Sequence, residues 1–209
     1  MRRIALAVLV LALAAGCAGQ TQRGRGAVDE ETHRRPFAEP GEGTELRLAA
    51  PPPVNRTPVS AASPWADEAI QVALDELSIY RVKGPEEIKP LLNQSPVGEA
   101  YDRFAAQPDD PEVMLAAALA IGRAARCDYV MMEVIDRLAR DGDSGAGYPA
   151  ILVAYRAHLV HVASAKVLWS QGYSTRLQPK TDEAEPAIRW ALLQSGRDLV
   201  ARIPWRKER

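Results

Sequence analysis

The sequence is poor in cysteine, histidine and aromatic residues, and it has no excess of charge of either sign. Two cysteines among 209 residues are too few for a disulfide-stabilised scaffold. The chain has 26 basic and 27 acidic residues, so its overall charge gives no electrostatic basis for binding nucleic acid. Hydrophobic residues make up 47% of the chain and charged residues 25%, which excludes collagen-like, wholly disordered and polytopic membrane proteins.

Residues 1–16 have the pattern of an export signal. Arg2 and Arg3 precede residues 4–15, an uncharged and mostly apolar run, and small residues follow. A helix of that length spans about 18 Å, which is too short to cross a hydrocarbon core of about 30 Å. The order of basic, apolar and small residues therefore predicts a signal peptide.

The segment Leu13-Ala14-Ala15-Gly16-Cys17 resembles the lipobox of bacterial lipoproteins, although Ala14 stands where that motif usually has a larger aliphatic residue. The resemblance implies that Cys17 becomes an acylated N-terminus, with a lipid anchor such as palmitate, and that the protein is in the bacterial cell envelope. Ala18 follows the cysteine instead of the Asp that retains some lipoproteins in the inner membrane. We therefore expect an outer-membrane anchor and a periplasmic domain. The alternative is a plain signal peptide with an incidental cysteine.

Residues 17–62 are predicted to be a disordered tether behind the lipidated cysteine. Between residues 18 and 62 there are six prolines and five glycines, and Phe37 is the only aromatic residue. Such a segment cannot bury enough apolar surface to offset the loss of chain entropy on folding.

Residues 63–209 are predicted to form an all-α domain, a bundle of about five to six helices. Capping residues and apolar spacing place the helices at about 63–83, 86–92, 96–106, 110–140, 148–173 and 183–203. The segment 148–173 is apolar on nearly all sides, which is typical of the central helix of a bundle. No segment alternates clearly with a period of two, so the sequence predicts no sheet.

Residues 108–140 are similar to a tetratricopeptide repeat, which implies helix-hairpin packing. The matching positions are Asp110-Pro111-Glu112, Leu119-Ala120, Asp128-Tyr129 and Ala139, whereas Arg123, Met132 and Asp136 depart from the pattern. No second copy follows 34 residues later, and a repeat array needs about three copies. Repeat-like packing within a bundle is therefore preferred over a true array.

The sequence contains no recognisable catalytic or metal-binding constellation. Gly142-Asp143-Ser144-Gly145 is similar to the nucleophile segment of trypsin-like proteases, but it lacks their context, and Asp141 and Asp143 match only the start of a calcium loop. His158 and His161 would share one face of a helix, with no further zinc ligand nearby in sequence. We expect no catalytic residue, no metal and no cofactor.

Two single residues keep alternative interpretations. Glu133 is the best lone carboxylate for a transglycosylase-like acid, but a solvated helix face is the simpler interpretation. Cys127 is either a buried small hydrophobic residue or a reactive thiol that could form an intermolecular disulfide.

The last predicted helix carries a stripe that combines tryptophan with arginine, the residue types enriched at binding hot spots. Its residues are Trp190, Leu193, Arg197 and Val200, followed by Trp205. The stripe is either part of the core or a surface for a protein partner in the envelope. The leading hypothesis is accordingly a membrane-anchored interaction or scaffolding protein that binds no nucleic acid. The alternative is a hydrolase or ligand-binding module that acts on peptidoglycan or lipid at a site between helices.

Overall fold

The computed structural model describes residues 46–76, 80–142 and 148–203. The predicted signal peptide, Cys17, residues 17–45 of the predicted tether and Trp205 lie outside these residues. The helices are α1 (Ala62–Asp75), α2 (Pro85–Leu92), α3 (Val97–Ala106), α4 (Pro111–Ala125) and α5 (Ala184–Val200). The strands are β1 (Leu46–Ala49), β2 (Val54–Asn55), β3 (Tyr80–Lys83), β4 (Tyr129–Asp141), β5 (Ala150–His161) and β6 (Lys166–Leu177).

The six strands form one mixed sheet in the order β3-β1-β4-β5-β6, and β2 also pairs with β4. The pairs of β1 with β3, β1 with β4 and β2 with β4 are parallel. The long strands β4, β5 and β6 are antiparallel neighbours. The sheet therefore has one half of short parallel strands and one half of long antiparallel strands.

Helices cover both faces of the sheet. On one face, α1 and α5 pack against side chains such as Met131, Ile135 and Leu159. On the other face, α2, α3 and α4 pack against side chains that include Met132 and Val134 of β4. The two hydrophobic clusters make a three-layer α/β arrangement, with the sheet as its middle layer.

The all-α prediction is wrong, because Tyr129–Asp141, Ala150–His161 and Lys166–Leu177 are strands instead of helices. Strand β4 is buried on both faces over residues 129–135, so its sequence lacks the alternation that reveals a half-buried strand. The apolar segment predicted as a central helix, 148–173, contains β5 and most of β6, and in β5 buried residues alternate with partly buried ones that include the apolar Leu152 and Ala154. The tetratricopeptide resemblance is also wrong, because the segment that would form the second helix of the repeat forms strand β4. The described residues accordingly form an α/β fold and not a helical bundle.

The five other predicted helical segments each contain a helix, but the first helix ends at Asp75 and the fourth at Ala125, so the predicted continuations to residues 83 and 140 are wrong and contain β3 and most of β4. For α4, Asp110 is the N-cap, and its side chain accepts hydrogen bonds from the backbone N–H groups of Glu112 and Val113. Among the described residues, no helix is both long enough and apolar enough to cross a membrane.

Residues 46–55, which fall within the segment predicted as a tether, contribute β1 and β2 to the sheet. Three prolines lie between these strands, and Pro51 and Pro53 are buried. Proline has no N–H to donate to a neighbouring strand, and these three prolines lie between β1 and β2 and not within either strand. The hydroxyl of Tyr101 donates a hydrogen bond to the carbonyl oxygen of Pro52 at 2.7 Å, which ties this segment to α3.

Candidate functional site: a groove between α1 and α5

Helices α1 and α5 run parallel to each other. Arg189 pairs with Glu68 at 2.7 Å, and Arg197 pairs with Glu76 at 2.6 Å. In both pairs the residues are 121 positions apart in the sequence, so an advance of eight residues along α1 matches an equal advance along α5. Eight residues are about two helical turns, and the two ion pairs therefore join the helices at two levels.

Small residues allow the two helices to approach closely. Ala66, Ala69 and Ala73 of α1 are buried, as are Ala191 and Gly196 of α5. A Cβ atom placed on Gly196 would lie 3.4 Å from the carbonyl oxygen of Ala69. The tight crossing leaves the larger side chains to line a groove on the outer surface of the helix pair.

The groove has apolar walls and charged side chains at its rim. Its lining residues are Trp65, Glu68, Ala69, Val72, Arg189, Trp190 and Leu193. Its volume is about 260 Å³, which is below the range of roughly 300–1,000 Å³ typical of small-molecule sites. Trp190 is 38% exposed, which is unusual for so large an apolar side chain in this protein. The groove is therefore suited to receive apolar side chains from another molecule.

The residues of the predicted α5 stripe lie in different environments in the structure. Trp190 and Leu193 line the groove, and Arg197 forms the ion pair with Glu76. Val200 is only 2% exposed and belongs to the core. Trp205 lies outside the described residues.

Sequence reasoning missed the α1 side of the groove. Trp65 and Val72 contribute to its wall together with Trp190. An aromatic residue at the start of α1 was visible in the sequence, but nothing in the local pattern pairs α1 with a helix more than 100 residues later.

Glu133 is in the core and not on a solvated helix face. It is 1% exposed on β4, and neither of its carboxyl oxygens has a hydrogen-bond partner. Burial and, to a lesser degree, the charge of Asp67 raise the pKa of Glu133 well above its ordinary value. Because the carboxyl group is buried, a substrate in solution cannot reach it in this structure.

Among the described residues, His158, His161 and Cys127 belong to no group that could hold a metal ion. His158 and His161 lie on strand β5, so they do not share a helix face as predicted. His158 hydrogen-bonds with Ser170 and His161 with Ser164, each at 2.8 Å. Cys127 is buried, and burial raises the pKa of its thiol, which disfavours the reactive thiolate. Within the described residues, no three His, Cys, Asp or Glu side chains are grouped so that they could hold a metal ion. Residues 143–147, which include most of the predicted protease-like segment, lie outside the described residues.

The fold has solved counterparts, although no protein-family model and no curated protein matches the chain. The hypothetical protein CT253 from Chlamydia trachomatis has a TM-score of 0.53 and 13% identity, and the match covers 77% of this chain and 96% of that one. The PelC dodecamer from Paraburkholderia phytofirmans has a TM-score of 0.50 and 12% identity, with 78% and 90% covered. The lipoprotein GNA1162 from Neisseria meningitidis has a TM-score of 0.49 and 18% identity, with 75% and 98% covered. At these identities the likeness concerns the fold alone.

Proposed function

We propose that this chain is an envelope lipoprotein, anchored through Cys17, whose α/β domain binds a protein partner and catalyses no reaction. The observation that carries the proposal is the exposed Trp190 in an apolar groove between two helices. Tryptophan and arginine are over-represented among residues that dominate binding energy at protein interfaces. The lipid anchor rests on the segment Leu13–Cys17, and the residue after Cys17 favours the outer membrane.

The partner segment that fits this groove is an amphipathic helix with a large apolar side chain. Arg189 already pairs with Glu68, so the two charged side chains that line the groove are paired within the domain. A charged ligand would have to break this ion pair, whereas an apolar side chain can enter beside it. Helices that place an apolar face into such a groove are a common mode of recognition.

The anchor is tested by the variant Cys17→Ala in the producing bacterium. We expect the wild-type protein in the outer-membrane fraction with an intact mass that includes acyl chains. The variant should lose both the lipid mass and the membrane association. A wild-type protein without lipid mass would contradict the proposed anchor and leave the groove proposal untouched.

The groove is tested by site-specific photo-crosslinking in living cells. A photoreactive amino acid replaces Trp190 or Leu193 in the groove, and the matched control replaces Glu112, an exposed residue on α4. We expect one envelope protein to be crosslinked from both groove positions and not from the control. The identified protein is then purified, and its affinity is measured for the wild-type domain and for Trp190→Ala.

The binding measurement decides the proposal. A loss of affinity of at least tenfold in Trp190→Ala, with unchanged circular dichroism, would support the groove as the partner site. Equal affinity of Trp190→Ala and the wild type would show that the groove is not the partner site.

A further inference from the structure

Four of the six strands begin at the same end of the sheet. The strands β1, β3, β4 and β6 start there with Leu46, Tyr80, Tyr129 and Lys166. Parallel pairing keeps the starts of β1, β3 and β4 together, and the hairpin between β5 and β6 places Lys166 opposite His161, the partner of Tyr129. Helix α4 ends at the same place, because only residues 126–128 separate it from β4. This end therefore collects residues from both halves of the sheet and from α4.

Basic side chains accumulate at this end, which is named the basic end below. The exposed cations there include Arg81, Arg123, Arg126 and Lys166. Within the part of the chain that the structure describes, none of these four side chains belongs to an ion pair. Arg47 lies beside Arg81 on the neighbouring strand, and it pairs with Asp128 at 3.3 Å. The basic end therefore presents several unpaired positive charges to its surroundings.

The acidic side chains at the ends of α1 and α4 do not neutralise these charges. Asp128 is already paired with Arg47, and Glu76 is paired with Arg197 at 2.6 Å. The remaining carboxylate, that of Asp75, accepts a hydrogen bond from an amide side chain of α1 at 2.7 Å. Positive charge therefore outweighs negative charge at the basic end.

The opposite end of the sheet carries charges of both signs. Arg176 pairs there with Asp141 at 2.8 Å. Arg140 donates a hydrogen bond to the carbonyl oxygen of Asp182 at 2.8 Å, and Lys180 is exposed in the same connection between β6 and α5. The two ends of the sheet therefore differ in charge.

The segment that leads to Cys17 joins the fold at the basic end, because Leu46 is the first residue of β1. Residues 18–45 span at most about 100 Å, so a lipid on Cys17 keeps the domain close to the membrane. Such a connection raises the effective concentration of a binding surface, and even a weak contact with the membrane is then occupied. Helix α5, which runs parallel to α1, also ends at the basic end, and residues 204–209 after it include three basic residues and one acidic residue.

We propose that the basic end docks on the anionic phospholipid surface of the membrane that holds the Cys17 lipid. This inference rests on the lipid anchor of the proposed function. Clusters of lysine and arginine next to a membrane attachment are attracted by anionic lipids, and guanidinium groups form paired hydrogen bonds with phosphate. The attraction acts over about one Debye length, roughly 10 Å at moderate salt, so it requires the basic end to face the membrane.

Docking through the basic end leaves the α1–α5 groove accessible. The groove is lined by side chains between residues 65 and 72 of α1 and between residues 189 and 193 of α5. Both helices continue beyond these residues before they end at the basic end. The groove therefore lies towards the opposite end of the sheet, where a protein partner can reach it.

The docking is tested with the full lipidated chain reconstituted in vesicles. Cys127→Ala removes the buried thiol, and Ala163→Cys introduces a fluorescent label at an exposed position of the β5–β6 hairpin. The matched control is Ala106→Cys, which replaces an exposed alanine at the end of α3, close to the start of α4. The 15 residues of α4 separate the two regions by about 22 Å. A nitroxide quencher on the lipid headgroups reports which label is near the membrane surface.

On vesicles that contain phosphatidylglycerol, we expect the label at Ala163 to be quenched at least twice as strongly as the label at Ala106. The difference should disappear on vesicles of phosphatidylcholine alone and at high salt, because both conditions remove the electrostatic attraction. Equal quenching of the two labels on the anionic vesicles would overturn the inference. These measurements leave every basic residue in place, so they do not depend on the folding of a charge variant.

The removal of charge tests which residues are responsible. The test variant combines Arg81→Gln, Arg126→Gln and Lys166→Gln, and the control variant combines Arg103→Gln, Arg137→Gln and Lys180→Gln, all at exposed positions. Each variant loses three positive charges, but only the test variant loses them at the basic end. We expect the test variant to reduce the quenching at Ala163 at least twofold and the control variant to leave it unchanged. An equal reduction in both variants would contradict docking through the basic end.

The outcomes separate this inference from the proposed anchor. A chain that does not float with the vesicles would contradict the lipid anchor and with it the docking, whereas a chain that floats without stronger quenching at Ala163 contradicts the docking alone. Photo-crosslinking from Ala163 to a single envelope protein in living cells would show that the basic end binds an acidic protein surface, and it would overturn the inference. None of these results depends on the binding of a partner at Trp190.

Discussion

Arg197 of α5 donates two hydrogen bonds to one carboxylate oxygen of Glu76, the C-cap residue of α1, from Nε at 3.0 Å and from Nη2 at 2.6 Å. Both side chains are substantially exposed, at 39% and 52%. Together with the pair of Arg189 and Glu68, this contact fixes the register of the two helices. The pair is therefore better understood as a determinant of alignment than as a large source of stability.

A double-mutant cycle of Arg197→Ala and Glu76→Ala is expected to give a coupling energy below about 1 kcal/mol. The ion pair is exposed, so solvent and salt screen the attraction. The measurement is urea denaturation of the two single variants and the double variant at low and high salt. A coupling of several kcal/mol that does not depend on salt would contradict this interpretation.

Replacement of Glu133 by Gln is expected to stabilise the protein at neutral pH. Burial first, and the charge of Asp67 second, raise the pKa of Glu133 in the folded state, so the folded chain binds more protons than the unfolded chain above the unfolded pKa. The wild-type free energy of unfolding should therefore fall by about 1.4 kcal/mol per pH unit as the pH rises from about 4.3 towards the folded pKa. The Gln variant should lack this contribution.

The measurement is denaturant unfolding of the wild type and Glu133→Gln between pH 4 and pH 8. The control is Glu87→Gln, which changes an exposed carboxylate of α2. Parallel pH profiles for the wild type and Glu133→Gln would show that the buried carboxyl group contributes nothing to the pH dependence.

Asp110→Ala is expected to lower the free energy of unfolding by about 1 kcal/mol. The side chain of Asp110 accepts hydrogen bonds at 2.8 Å from the backbone N–H of Glu112 and at 3.1 Å from that of Val113. These N–H groups have no partner within the helix, so alanine leaves them without a side-chain acceptor. Asp110→Asn, which keeps the acceptor oxygen, should change the stability by much less, and thermal unfolding compares the two.

Gly122→Ala is expected to destabilise the protein although alanine favours helices. A Cβ atom on Gly122 would lie 2.4 Å from a methyl carbon of Val162 and 2.8 Å from one of Val130. The cost of overpacking, about 1–3 kcal/mol, should outweigh the gain in helix propensity of about 1 kcal/mol. Gly142→Ala is the control, because no atom of the described residues lies within 4 Å of its Cβ position. Equal stability of the two variants would contradict the tight packing of α4 on the sheet.

The sequence predicted the ends of several helices because capping is a local property. Asp110 and Pro111 mark the start of α4 through an acceptor side chain and a residue without an N–H. Helices α2 and α3 were placed with similar success between the breaks near Gly84 and Gln107. In each case the residues that decide the structure are within a few positions of one another.

The sequence analysis identified the α5 residues of the candidate site but not the α1 residues. Trp190 and Leu193 were recognised as a helical stripe that could be core or surface, and the structure places both in the groove. Val200, from the same stripe, is in the core instead. Trp65 was not connected with them, because its distance from Trp190 depends on how two helices pack on the same sheet.

The sequence by itself determined where the helices begin, the apolar character of the central segments and the export-type pattern before Cys17. These features arise from short-range chemistry, namely capping, side-chain spacing and the order of basic, apolar and small residues. Only the tertiary structure decided that residues 129–141 form a strand, because the part of β4 that is covered on both sides has no polar face to reveal its period. The burial of Glu133 and the parallel alignment of α1 and α5 also depend on the tertiary structure, because both result from packing between residues far apart in the chain.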